Sequence, residues 1–163
     1  MKYAIGVKLV ALIAMTLGEY NKYRGWDIPD NEDPDKEGYL VEYIGQGNSN
    51  HPEHDNYISW STKEVADNSY FAIEDRSKIS RADVEAFIVQ GEPMQLGEKT
   101  TIVMDTTLTG FDTVATSACV DPNNFQLGIG AEIARKDITD KIWGHLGFVL
   151  QWAKNGLKFK SKD

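Results

Sequence analysis

The sequence predicts an α+β protein of two small modules, each a short antiparallel sheet with helices, the second ending in a long helix. Three observations lead there. Runs rich in β-branched and aromatic residues alternate with capped, helix-patterned runs. A polar stretch, EDRSKIS (Glu74 to Ser80), separates two such patterned regions. The charge is also uneven: residues 1–76 carry 7 basic and 14 acidic side chains, whereas residues 77–163 carry 10 and 11. These point to modules at 1–76 and 77–163.

In the first module, GVKLVALIAM reads as a buried strand. It is not read as a signal peptide, because Lys8 interrupts it and no small-residue cleavage site follows. TLGE (Thr16 to Glu19) is a capping box, in which hydroxyl and carboxylate each satisfy the other residue's amide. It opens a short helix that Gly25 stops. IPDNEDPDKEG follows as an exposed loop, since its prolines and acids oppose regular structure. GYLVEY and YISW are strand-like, and the polar IGQGNSNHPEHDN joins them. STKEVADN reads as a capped helical turn with Ser61 or Thr62 as the cap.

In the second module, SRADVEAFIV is a helix with Ser80 as N-cap and Val84, Phe87 and Ile88 on one face. KTTIVMDTTLTGFDTVATSACV reads as a β-hairpin turning near Thr109 and Gly110. Thr101, Val103 and Asp105 fall on one face of its first strand, Ile102 and Met104 on the other. Asp121 before Pro122 is a cap followed by a first-turn proline. Helical spacing then selects Phe125, Ile129, Ile133, Ile138, Ile142, Leu146, Val149 and Leu150. Gly128, Gly130, Gly144 and Gly147 each weaken a helix by up to about 1 kcal/mol relative to alanine. They predict a break near Gly144 or a close approach of another backbone. KNGLKFKSKD is a basic, frayed tail.

Composition excludes several classes. The 41% apolar and 26% charged content is that of a globular chain, not a disordered one. A net charge of −8 opposes duplex nucleic acid as the main partner. The single cysteine, Cys119, permits no intrachain disulfide and fits a reducing compartment. No apolar run reaches the roughly 20 residues of a membrane span. No Gly-rich phosphate loop, nucleophile elbow or HExxH is present, so no catalytic residue is assigned, and no metal or cofactor is implied.

Two stretches resemble known families. ISRADVEAFIV, the threonine-rich hairpin, SACVDPNNF and IGAEIARKDITDKIWGHLGFVL, within Ile79 to Gln151, resemble a podophage-type family of small phage proteins. The chain departs from that pattern at WGHLGF, so His145 inherits no role from it. MTLGEYNKYRGWDIPDNEDPDKEGYLVEY and YISWSTKEVADNSYF resemble the N-terminal segment of phage accessory proteins. Some of those carry a Thoeris anti-defence 2 type domain, which sequesters nucleotide immune signals. The resemblances imply a phage accessory protein acting in the host cytoplasm.

The residues offer several candidate sites. Tyr20, Tyr23, Trp26, Tyr39, Tyr43, Tyr57 and Trp60, with Arg24, can stack on a base and grip a phosphate. The same aromatics can instead form the core of a sheet poor in aliphatics. Tyr20, Tyr23, Arg24, Trp26 and Trp60 are carried forward as ligand-binding candidates. So are Arg135 and Lys136, which can reach an anion at an oligomer interface or simply face solvent. HPEHD (His51 to Asp55) has metal-ligand types but no third distant ligand, and reads more simply as a polar turn. Lys141 and His145 lie on the last helix. Cys119, flanked by Ala118 and Val120, reads as core. The threonines from Thr106 to Ser117 suit a solvated strand face, or a polar pocket.

The functional expectation is non-enzymatic. A homo-oligomer, joined through the glycine-bearing last helix, would sequester a small nucleotide immune signal of cyclic ADP-ribose or cyclic dinucleotide type. The alternatives are an acidic inhibitor of a host protein, with Asp27 to Glu37 as a charge mimic, and a nucleotide-cleaving enzyme using His51, His54 or His145.

Overall fold

The computed structural model describes residues 1–159, and the chain divides into two compact units. One comprises Met1–Ala72 together with the chain from Gln151 onward; the other is Ile73–Leu150. Both are mixed α and β with antiparallel sheets.

The first unit holds strand β1 (Val10–Ala14), helix α1 (Leu17–Arg24), strands β2 (Gly38–Tyr43) and β3 (Ile58–Thr62), and helix α2 (Lys63–Ser69). Its sheet runs β1-β2-β3, with Val10 opposite Tyr43 and Gly38 opposite Thr62. The capping box forms as the sequence predicts: Glu19 N–H donates to the Thr16 hydroxyl and Thr16 N–H to the Glu19 carboxylate. Gly25 ends α1 at φ 69°, a conformation that favours glycine. The acidic loop returns over the start of the helix, where the carbonyls of Lys36 and Pro34 accept from Leu17 and Gly18 N–H. Those two amides would otherwise lack partners. Thr62 caps α2 by accepting from Val65 N–H. Tyr20, Leu40 and Ile58 form the core, with Met15, Tyr23 and Trp60 packed on it. Gly38 lets the Trp60 ring lie on β2, because a side chain there would collide with that ring and with the Ser61 carbonyl.

The opening segment corrects one expectation. Only Val10–Ala14 is strand, and it is an edge strand, not a buried one. Leu12 and Ile13 keep 37% and 48% of their surface exposed. At the border of the sheet a strand has a neighbour on one side only, so fewer side chains pack around its own.

The second unit holds helix α3 (Arg81–Phe87), strands β4 (Ile88–Val89), β5 (Met94–Leu96), β6 (Thr100–Thr107) and β7 (Asp112–Ala118), a 3₁₀ turn (Pro122–Asn124), and helix α4 (Leu127–Asn155). β6 is central: β7 pairs along one edge, and β4 and β5 share the other. Ser80 caps α3 in a second box, with Asp83 as the reciprocal acid. Val84, Val103, Ala115, Ala131, Ala134, Ile138, Ile142 and Leu146 form the core.

Four expectations change here. α4 runs 29 residues without a break at Gly144. Its buried stripe passes through Ala131 and Ala134, while Ile129 and Ile133 are more than half exposed and Val149 is also exposed. The reason is close approach: Gly130 lies against Thr101 and Ser117, and its carbonyl accepts from the Ser117 hydroxyl at 2.8 Å. Only small residues fit at that separation, so alanine takes the inside. Finally, Thr101, Thr107 and Thr113 are buried on the helix-facing side of the sheet, and Met104 and Val114 face outward. Cys119 is only partly buried; its thiol lies 3.1 Å from the Asp121 carbonyl oxygen.

Candidate functional site

The candidate residues fall into two separate places. Tyr20, Tyr23, Arg24 and Trp26 sit on or just after α1 in the first unit, and Arg135 and Lys136 sit on α4 in the second.

In the first unit the aromatics divide between core and surface. Tyr20 is buried, and burial raises its hydroxyl above the ordinary phenol value, partly offset by the Arg24 guanidinium beside it. Trp60 donates its indole N–H to the Met15 carbonyl at 2.9 Å, so it is a packing residue. Trp26 is half exposed and meets Tyr20 edge-on. Its ring lies 4.4 Å from the Arg24 guanidinium, covering it. The Arg24 Nη1 atom is buried there without a hydrogen-bond partner.

Tyr23 belongs to a cluster that no sequence motif announced. Its hydroxyl lies 3.0 Å from both Glu53 Oε2 and His54 Nε2. His54 Nδ1 lies 3.0 Å from Glu42 Oε2, and Asn56 donates to the other Glu42 oxygen at 2.8 Å. The His51 ring stacks on Tyr23 with centroids 4.3 Å apart. Hydrogen bonds from Asn56 and His54 hold the Glu42 carboxyl below its ordinary value. Burial, then the bond to Glu53, raises the Tyr23 phenol. The imidazoles of HPEHD thus brace a loop against α1 and β2. Among the described residues, no group of three or more His, Cys, Asp or Glu is placed to hold a metal ion.

In the second unit a groove of about 560 Å³ runs along α3 and α4, in the size range of small-molecule sites. Arg81, Arg135 and Lys136 supply its cations, Glu85, Glu132 and Asp140 its exposed acids, and Trp143 a partly exposed flat wall. Asp105, buried beneath, accepts from Gly91 N–H at 2.9 Å. Arg135 donates to the Gly91 carbonyl through Nη2, while its Nε is 3.7 Å from Asp105 and has no hydrogen bond. Among the described residues, Arg81 and Lys136 make exposed pairs with Glu85 and Asp140, one turn away on their own helices. Such exposed pairs are weak and yield readily to a stronger anion. Of these lining residues, the sequence singled out Arg135 and Lys136. It missed Arg81 and Trp143, which only folding brings alongside. His145 lies elsewhere, edge-on to Phe111, and Lys141 donates to the Val114 carbonyl.

Among the described residues no helix is long and apolar enough to cross a membrane. No curated protein and no solved structure matches the chain. The sequence does match a phage protein family, described by two phage gene products, over residues 65–153, which takes in the whole groove. Residues 1–64 lie outside that match, and none of these comparisons shows the expected likeness of the N-terminal segment to anti-defence proteins. The match spans more than half of the 163 residues, and the chain belongs to the phage protein (N4 Gp49/phage Sf6 gene 66) family.

Proposed function

We propose that this phage protein binds a small nucleotide-type ligand in the α3–α4 groove and sequesters it without chemistry, a cyclic ADP-ribose or cyclic dinucleotide immune signal being the ligand class. The observation that carries this reading is the grouping of Arg81, Arg135, Lys136 and Trp143 around one groove. Guanidinium groups match phosphate oxygens in pairs, and an indole face stacks on any base. The neighbouring carboxylates suit ribose hydroxyls and exocyclic amines, which donate hydrogen bonds.

The Glu42–His54–Tyr23 chain favours a second reading, proton-transfer catalysis, because carboxylate, imidazole and hydroxyl stand in that order. The second carboxylate, Glu53, weakens it. A negative neighbour at 3.0 Å opposes formation of a phenolate on Tyr23.

Calorimetry and native mass spectrometry with a panel of cyclic nucleotides and ADP-ribose derivatives test both readings. Sequestration predicts a fixed number of intact ligands per chain, and at least about a tenfold loss of affinity in Arg135→Ala and in Trp143→Ala. A converted ligand whose turnover is lost in His54→Ala supports catalysis instead. Binding of none of the panel overturns both.

A further inference from the structure

The outward face of α4 carries a pattern that the protein's own interior does not use. Ile129, Ile133, Lys136, Asp140, Trp143 and Gly147 are spaced four, three, four, three and four residues apart. That is the alternation of a coiled-coil seam. Ile129 and Ile133 are 52% and 54% exposed, Trp143 is 39% exposed, and the Lys136 and Asp140 side chains are 80% and 64% exposed. A side chain added at Gly144 or Gly147 would meet nothing within 4 Å. Each glycine nevertheless weakens a helix by about 1 kcal/mol relative to alanine, and no packing among the described residues explains it.

The spacing is palindromic about Ile138. Reversing the helix and laying it against itself brings Ile129 opposite Gly147, Ile133 opposite Trp143, and Lys136 opposite Asp140 of the second copy. Every layer is then complementary: a large residue over a glycine, two apolar residues together, and opposite charges at the centre. The two central layers place two lysines among two aspartates. We infer that α4 is a homodimerisation helix, pairing antiparallel with α4 of a second copy in this register, at a crossing near the roughly 20° of coiled coils. The occupant is a second copy, because the match of size and charge is to the helix's own reverse. The outer face of the second unit's sheet, with Met94, Leu96, Met104 and Val114 exposed, offers no such internal match of charge.

The dimer stands on this helix face alone and goes beyond the groove reading. Lys136, Asp140 and Trp143 border both, so the second copy would wall one side of the groove.

Sedimentation equilibrium of the full chain without ligand tests the register, leaving the groove reading to its own assay. The expected result is a dimer of the 18.3 kDa chain. Gly147→Leu has open space in the monomer and should fold, yet lose at least about tenfold in dimer affinity by colliding with Ile129 of the second copy. Ile133→Glu should do the same. Lys136→Glu should weaken the dimer, and Lys136→Glu with Asp140→Lys should restore it. Circular dichroism verifies the fold of each variant. A wild-type monomer across the concentration range overturns the inference. So does a dimer indifferent to both Gly147→Leu and Ile133→Glu, which would place the contact on another face.

Discussion

The two sheets of this protein fill their core-facing sides with different side chains. In the first unit Leu40 and Ile58 face the core with Tyr20, and Glu42, on the same face of the sheet, extends it into a largely buried polar cluster with His54 and Tyr23. In the second unit Thr101, Asp105, Thr107 and Thr113 turn inward beside Val103 and Ala115, and Met104 and Val114 turn outward. Alternation along a strand assigns residues to two faces but does not say which face is covered. In the first unit the aromatics decide it, since they have the most surface to bury. In the second, close approach of α4 at Gly130 decides it, and short side chains take the inside even when polar.

The largest effect is expected in the first unit. Leu40 is 1% exposed in a core of three buried side chains, so Leu40→Ala should cost about 3 kcal/mol. Urea unfolding followed by tryptophan fluorescence should show that loss, Trp60 being packed on this core. A loss below about 1 kcal/mol would mean that the small core does not carry the unit's stability.

A middle-sized effect is expected at Asp83, a buried acid whose oxygens accept from Ser80 and Glu74 N–H at 2.7 and 3.0 Å. Burial pulls its carboxyl upward, but the Ser80 and Glu74 hydrogen bonds leave it below the ordinary value. A depressed carboxyl stabilises the fold at pH above the unfolded value near ~3.9, and that contribution disappears as pH falls through the lower folded value. Asp83→Asn should therefore cost about 1–2 kcal/mol at pH 7 and progressively less below about pH 4. A cost that stays constant across that window would remove charge from the explanation.

The smallest effect has the opposite sign. The Thr113 hydroxyl is buried without a hydrogen-bond partner, unlike the Asp83 carboxylate. Thr113→Val keeps the branched shape and removes the unpaired group, so it should stabilise by about 1 kcal/mol. A thermal melt showing destabilisation would mean that the inward threonines have partners in solution, and would narrow the contrast between the units.

What the sequence disclosed depended on how local each signal was. The Thr16–Glu19 and Ser80 caps, the Gly25 stop and the faces of β6 were legible, because each is set by residues within a few positions. The α4 stripe was legible from Ile138 onward and misleading before it. Ile129 and Ile133 look like core by hydrophobicity, but the neighbouring sheet lies too close for them. The edge position of β1 depends on strand order, which its own residues do not encode. The Tyr23 cluster joins positions 23, 42, 53 and 54, and the groove joins α3 to α4. Neither set shares a spacing that a linear reading can find.

The Tyr23 cluster has a consequence that follows from counting protons. Its three contacts, Glu42 to His54, His54 to Tyr23 and Tyr23 to Glu53, each need one hydrogen between two heavy atoms. Two ionised carboxylates, a neutral imidazole and a phenol hold only two. One contact is then empty, and the Tyr23 hydrogen must choose between His54 and Glu53. The four side chains therefore have fewer hydrogens than contacts, and the rotation of one hydroxyl decides which neighbour of Tyr23 goes without a bond.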